Sequence, residues 1–110
     1  MEIKEINQFV DQEIKRLEEY YHLKEGEELT LAMAMKIVEE LGELFNEVLA
    51  HKGYQRKDKL NNLNEKEIEK EFADVIFTTI ILSRRFNIDI EKALITKMNE
   101  IKNRNYKEQK

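Results

Sequence analysis

Apolar residues recur every three or four positions along most of the chain, the spacing of helices that bury one face. Ile6, Phe9, Val10, Ile14, Leu17 and Tyr21 follow it first and predict a helix from about Ile3 to Leu23. Lys24–Leu29, with Gly26 inside it, breaks the pattern. Thr30 is placed to cap a second helix that reaches about Lys52, where Gly53 supplies a stop. Its core face reads as Ile37, Val38, Leu41, Leu44, Phe45 and Val48. Residues 53–64 are polar, charged and aperiodic, the composition of a mobile loop. Asn64 followed by Glu67 resembles a capping box and opens a third helix to about Phe86. Asn87 and Ile88 turn the chain. Asp89 then caps a fourth helix, with Ile90, Leu94, Met98 and Ile101 as its core face, which frays past Asn105.

Length and composition agree with this all-α reading. A chain of 110 residues makes one domain, 1–110. There is no proline and there are only three glycines, too few turn residues for a sandwich or barrel. The absence of cysteine excludes a disulfide framework, a zinc ribbon and a thiol nucleophile. The charged start MEIKEINQFV has no apolar signal core, and no run approaches the ~20 apolar residues that span a bilayer. A cytoplasmic protein without a membrane partner is expected. A net charge of −4 argues against binding a nucleic acid polymer, which rests on basic side chains that neutralise phosphates. The charge is uneven: residues 97–110 carry five bases against two acids. That basic tail reads either as a solvated helix end or as a local anion site.

The third helix carries the most chemistry. Phe72, Val75, Ile76, Thr79, Leu82 and Phe86 form one face, with Phe77, Ile80 and Ile81 around the far side. A helix apolar nearly all round is buried on several sides. Its central interruptions, Glu71, Asp74 and Thr78, fall on one stripe. Two carboxylates on a buried helix need raised pKa values or a cation. On the second helix Glu40 and Glu43 form a similar pair, although the helical wheel equally allows Glu39, Glu43 and Glu47 to be a solvated face. Gly42, between them, costs about 1 kcal/mol relative to alanine inside a helix and suggests that another element approaches closely there. An ExxE pair and an ExxD pair that converge make a hard oxygen site, suited to Mg²⁺ or Mn²⁺ with room for water and phosphate. On the fourth helix Lys97 and Arg104 are either anion ligands or cations that snorkel from the core edge.

Together the segments EELGEL (39–44), EFADVI (71–76) and KMNEIKNR (97–104) resemble the MazG-like, all-α nucleoside triphosphate pyrophosphohydrolases. The likeness covers residues 30–106. It implies a four-helix bundle completed by homo-oligomerisation, as a homodimer or homotetramer. It also implies Mg²⁺-dependent hydrolysis of nucleoside triphosphates to a monophosphate and pyrophosphate. Carried over by position, Glu40, Glu43, Glu71 and Asp74 would be metal ligands. Glu39 and Glu40 would act catalytically, Glu39 as a further ligand or by positioning the attacking water. Lys97, Arg104 and Thr78 would contact the substrate. The chain departs from relatives that place tryptophans around the base, having none, and it lacks the proline that often follows their last basic residue. Phe9, Tyr20, Tyr21, His22 and Tyr54 are the remaining groups for stacking on a base.

Two other readings compete. A di-iron bundle needs paired ExxH motifs, and only Glu19–His22 supplies one. A catalytically silent nucleotide-binding or protein-interaction module would leave the acids without a task, although an idle acidic cluster only repels itself.

Overall fold

A computed structural model describes residues 1–21, 26–54 and 65–106, and among these there are four helices and no strand. They are α1 (Ile3–Tyr21), α2 (Glu27–His51), α3 (Glu65–Arg84) and α4 (Ile90–Lys102). Leu23 and Asn64, expected at helix ends, lie outside the described residues, as do 55–64 of the expected loop.

Local chemistry sets the helix ends. Gly53 takes a left-handed φ of 79°. There the Tyr54 N–H donates to Leu49 O at 2.8 Å and the Gly53 N–H to Ala50 O at 3.0 Å, closing α2. Asn87, with φ 55°, plays the same part after α3, where the Ile88 and Asn87 N–H groups donate to Ser83 O and Arg84 O. Asp89 caps α4 as expected, its side chain accepting from the Lys92 N–H. Thr30 does not cap α2. Gly26 stands at that position and the helix begins at Glu27, while the Thr30 hydroxyl donates back to Gly26 O at 3.3 Å.

The core is Val10 of α1, Leu29 and Met33 of α2, and Ile80 and Ile81 of α3. Ile6, Ile14, Leu17, Phe77, Leu82 and Ile90 pack against it, and the Phe9 ring meets Phe77 edge-on at 5.1 Å. Most of the packing between helices joins α2 to α3, with a smaller contact from α1. The two partners run antiparallel. Arg85 bonds Thr30 at one end, Lys36 shares a cleft with Thr78, and Glu43 and Glu47 share another with Glu67 and Glu71.

Three expected core faces are corrected. On α3 the buried side is the one read as the far side, Ile80 and Ile81, while Phe72, Ile76, Thr79 and Phe86 are exposed. On α2, Val38, Leu41 and Phe45 are exposed, whereas Glu40 and Glu47 are buried. On α4 only Ile90 reaches the core, and Leu94, Met98 and Ile101 lie open. The wheel identified the apolar stripes but not their direction, because α2 and α3 are amphiphilic on two sides. Each has an apolar outer stripe opposite the side that faces its partner. On α2 that stripe is Leu31, Met35, Val38, Gly42, Phe45 and Leu49, alternating steps of four and three, with Met35 at 67% exposure and Phe45 at 64%.

Candidate metal centre

The partner-facing side of α2 carries Lys36, Glu40, Glu43 and Glu47 one turn after another, and that of α3 carries Glu67, Glu71, Asp74 and Thr78. Antiparallel packing brings the middles of these rows together. Glu40, Glu43 and Glu71 each place one carboxylate oxygen within 4.8 Å of the others. Glu40 is only 6% exposed, and of the α2 acids that the wheel allowed as a solvated face, Glu39 and Glu43 are exposed while Glu47 is buried. The Oε2 of Glu40 and that of Glu71 are buried without a hydrogen-bond partner.

Such crowding raises proton affinity. Desolvation, then the charges of Glu43, Asp74 and Glu40, push the Glu71 carboxyl above its ordinary value. Asp74 is also raised, first by desolvation and then by Glu40, while Lys36 and Lys70 oppose the shift. Asp74 thus stands in the field of the cluster although its own side chain is exposed. Two orphaned buried oxygens in a group of three carboxylates suit a hard divalent cation, which would replace the missing hydrogen bonds and cancel the repulsion. No histidine joins the group: His51 Nδ1 instead lies 2.8 Å from the Glu47 carbonyl. His22 lies outside the described residues.

The remaining expected site residues divide. Thr78 is half-buried beside the acids and donates to Asp74 O at 2.8 Å. Glu39 is exposed and lies 3.5 Å from Lys36. Lys97 and Arg104 are not brought to the acids. Lys97 sits on exposed α4, paired with Glu100 at 3.1 Å, and Arg104 follows that helix, also exposed. Gly42, expected to mark a close approach within the chain, faces open space, with no atom within 4 Å of where a Cβ would stand.

One residue absent from the sequence reading belongs here. Lys36 Nζ lies 3.2 Å from Glu40 Oε1, and this hydrogen bond is the main reason its ammonium is held above its usual pKa. Its position one turn before Glu40, on the same side of the helix, was the signal available. Beyond Lys36, the groove between α2 and α3 continues into a small apolar cleft of about 60 Å³, lined by Leu17, Tyr21, Ala32, Met33, Thr78 and Ile81.

The chain is 39% identical over 70 residues to the uncharacterized protein YpjD of Bacillus subtilis (strain 168), a match covering 64% of this chain and 61% of that protein. The matched stretch is thus less than two thirds of the length of its relative. No solved structure matches. The MazG nucleotide pyrophosphohydrolase domain model matches residues 27–107, which hold the whole acid groove. That match spans most of the chain and places it in the MazG nucleotide pyrophosphohydrolase domain family.

Proposed function

We propose that the protein hydrolyses nucleoside triphosphates, ribo or deoxy, to the monophosphate and pyrophosphate, water attacking at the α–β phosphoanhydride. The convergence of the Glu40, Glu43 and Glu71 carboxylates, with two buried oxygens unpartnered, carries this reading. Family membership supports it. Glu40, Glu43, Glu71 and Asp74 would hold Mg²⁺, with Mn²⁺ as a substitute. When bound, that ion would supply charge neutralisation at the phosphate oxygens. Glu39, exposed next to the buried Glu40 and 3.5 Å from Lys36, would position a water at the open side of the groove and accept its proton. Thr78 stands where the acid row gives way to the apolar cleft, a place for the sugar. A cytoplasmic enzyme fits the described residues, in which no helix is long and apolar enough to cross a membrane.

The acting unit is proposed to be a homodimer or homotetramer. The outer stripe of α2 has the spacing of a helix-packing seam, and Gly42 at its centre would let a second helix come close. Lys97 and Arg104 would then keep a phosphate role from the α4 of a neighbouring copy, since their own helix stands away from the acids.

Pyrophosphate release from the eight common ribo- and deoxyribonucleoside triphosphates, with Mg²⁺ and then with EDTA, tests the reaction. Metal-dependent release with monophosphate as co-product supports it. A folded protein that binds Mg²⁺ and turns over none of them would instead be a silent binding module.

A further inference from the structure

The groove between α2 and α3 presents three chemistries in a fixed order: acids, a single lysine, then an apolar cleft. Lys36 is the hinge of that order. It bonds the buried Glu40 on one side and forms part of the cleft wall on the other. Lys70, which also lowers the proton affinity of Asp74, pairs with Glu67 at 3.3 Å and is largely exposed.

We infer that Lys36 is the counter-cation of the acid cluster whenever no metal is bound, and that it exchanges Glu40 for the substrate's triphosphate when a divalent ion arrives. The inference rests on the reading of the acids as a metal site and adds a residue to it. Its physical basis is charge balance. Glu40 is almost fully buried, and in the absence of metal an ammonium at 3.2 Å is what offsets its desolvation. A divalent cation taken up by Glu40, Glu43 and Glu71 competes for the same oxygen charge. Lys36 is then left with the exposed Glu39, at 3.5 Å, beside a larger cation, and the two cations repel. An anion that bridges them removes that repulsion, and a triphosphate chain does so along the line from the acids to the apolar cleft. The lysine stem is long, and the side chain is 45% exposed, so the head can turn from Glu40 toward an incoming phosphate without leaving the groove. The consequence is energetic coupling. Lys36 opposes the metal when it comes alone and favours metal and triphosphate together, so each ligand should tighten the other.

Binding measurements test this without turnover. Mn²⁺ affinity is read by electron paramagnetic resonance, and nucleotide affinity by calorimetry with α,β-imido analogues of the deoxyribonucleoside triphosphates and with the matching monophosphates. Lys36→Met should bind Mn²⁺ alone about two- to fivefold more tightly, the scale of an exposed ion pair lost as competitor. With Mn²⁺ saturating, it should bind the triphosphate analogues about tenfold or more weakly, the scale of a charged hydrogen bond, and lose much less for monophosphates. Lys36→Arg should stay close to the parent. Equal triphosphate affinity in Lys36→Met and the parent overturns the inference, as does unchanged Mn²⁺ affinity or a parent that binds Mn²⁺ but no analogue. A parent that binds neither Mn²⁺ nor any analogue overturns instead the metal-site reading beneath it.

Discussion

Arg85, at the end of α3, reaches back across 55 residues of sequence to Thr30 near the start of α2. Its Nε donates to the threonine hydroxyl at 3.0 Å, and its Nη2 donates to the Gly26 carbonyl at 3.1 Å. This clasp fixes how far the two helices can slide along each other, and therefore which acid of α2 meets which acid of α3. A slip of one turn would move a side chain by about 5.4 Å, enough to part Glu40 and Glu43 from Glu71.

Removing the clasp should cost stability and metal affinity together. Arg85→Ala is expected to lower the unfolding free energy by about 1 kcal/mol, the scale of one part-buried hydrogen bond with a weaker exposed one beside it. Urea denaturation of the variant gives that number, and Mn²⁺ titration should show weaker binding despite unchanged acids.

Exchanging one buried acid separates chemistry from folding. Glu40→Gln should abolish detectable pyrophosphate release while circular dichroism keeps its helical signature. The apoprotein should unfold at higher denaturant, because a neutral amide removes one repelling charge from the cluster. Asp74→Ala should likewise lose activity with its helices intact. Loss of helix content in both would mean that the acids are structural.

The raised carboxyls set the pH dependence of the apoprotein. A group whose pKa is higher folded than unfolded binds more protons when folded, so stability is greatest below the unfolded value and falls as pH rises through the folded one. For Glu71 and Asp74, both raised, the decline begins above about pH 4, the ordinary carboxylate range. Thermal unfolding measured upward from pH 4 in EDTA should show the fall. Glu71→Gln should reduce the slope, and saturating Mg²⁺ should reverse it, because metal binds the deprotonated acids.

Gly42 gives opposite effects in a monomer and an oligomer. No atom of the described residues blocks a Cβ there, so Gly42→Ala should stabilise an isolated protomer by about 0.5–1 kcal/mol through helix propensity. If a second copy packs its helix over that point, the added methyl should weaken association. Sedimentation across a concentration series, compared with denaturation at the lowest concentration, reads both effects. Association unaffected by Gly42→Ala and by Phe45→Glu would remove the α2 seam from the interface.

The positions of the helices and most of their stops were legible from residue spacing, because periodicity, Gly53, Asn87 and Asp89 act locally. The spacing of Glu40, Glu43, Glu71 and Asp74 also contained the acid cluster. What spacing does not contain is which side of a two-sided helix turns inward. Phe72, Ile76 and Phe86 are as apolar as Ile80 and Ile81, and only the packing of α3 against α1 and α2 decides between them. The same ambiguity hid Lys36, which looks like any surface lysine until Glu40 is known to be buried. Gly42 suggests from sequence that another element approaches closely, and among the described residues none does.

The antiparallel pairing of α2 with α3 has one more consequence, for how this groove can change over evolutionary time. Tyr54 leaves α2, and Glu65 enters α3, at the Glu47–Glu67 end, while the Arg85–Thr30 clasp sits at the opposite end. Residues gained or lost between Tyr54 and Glu65 therefore do not shift the register that aligns the acids. Chain length between the two helices can thus change while the pairing that gathers the acids is kept.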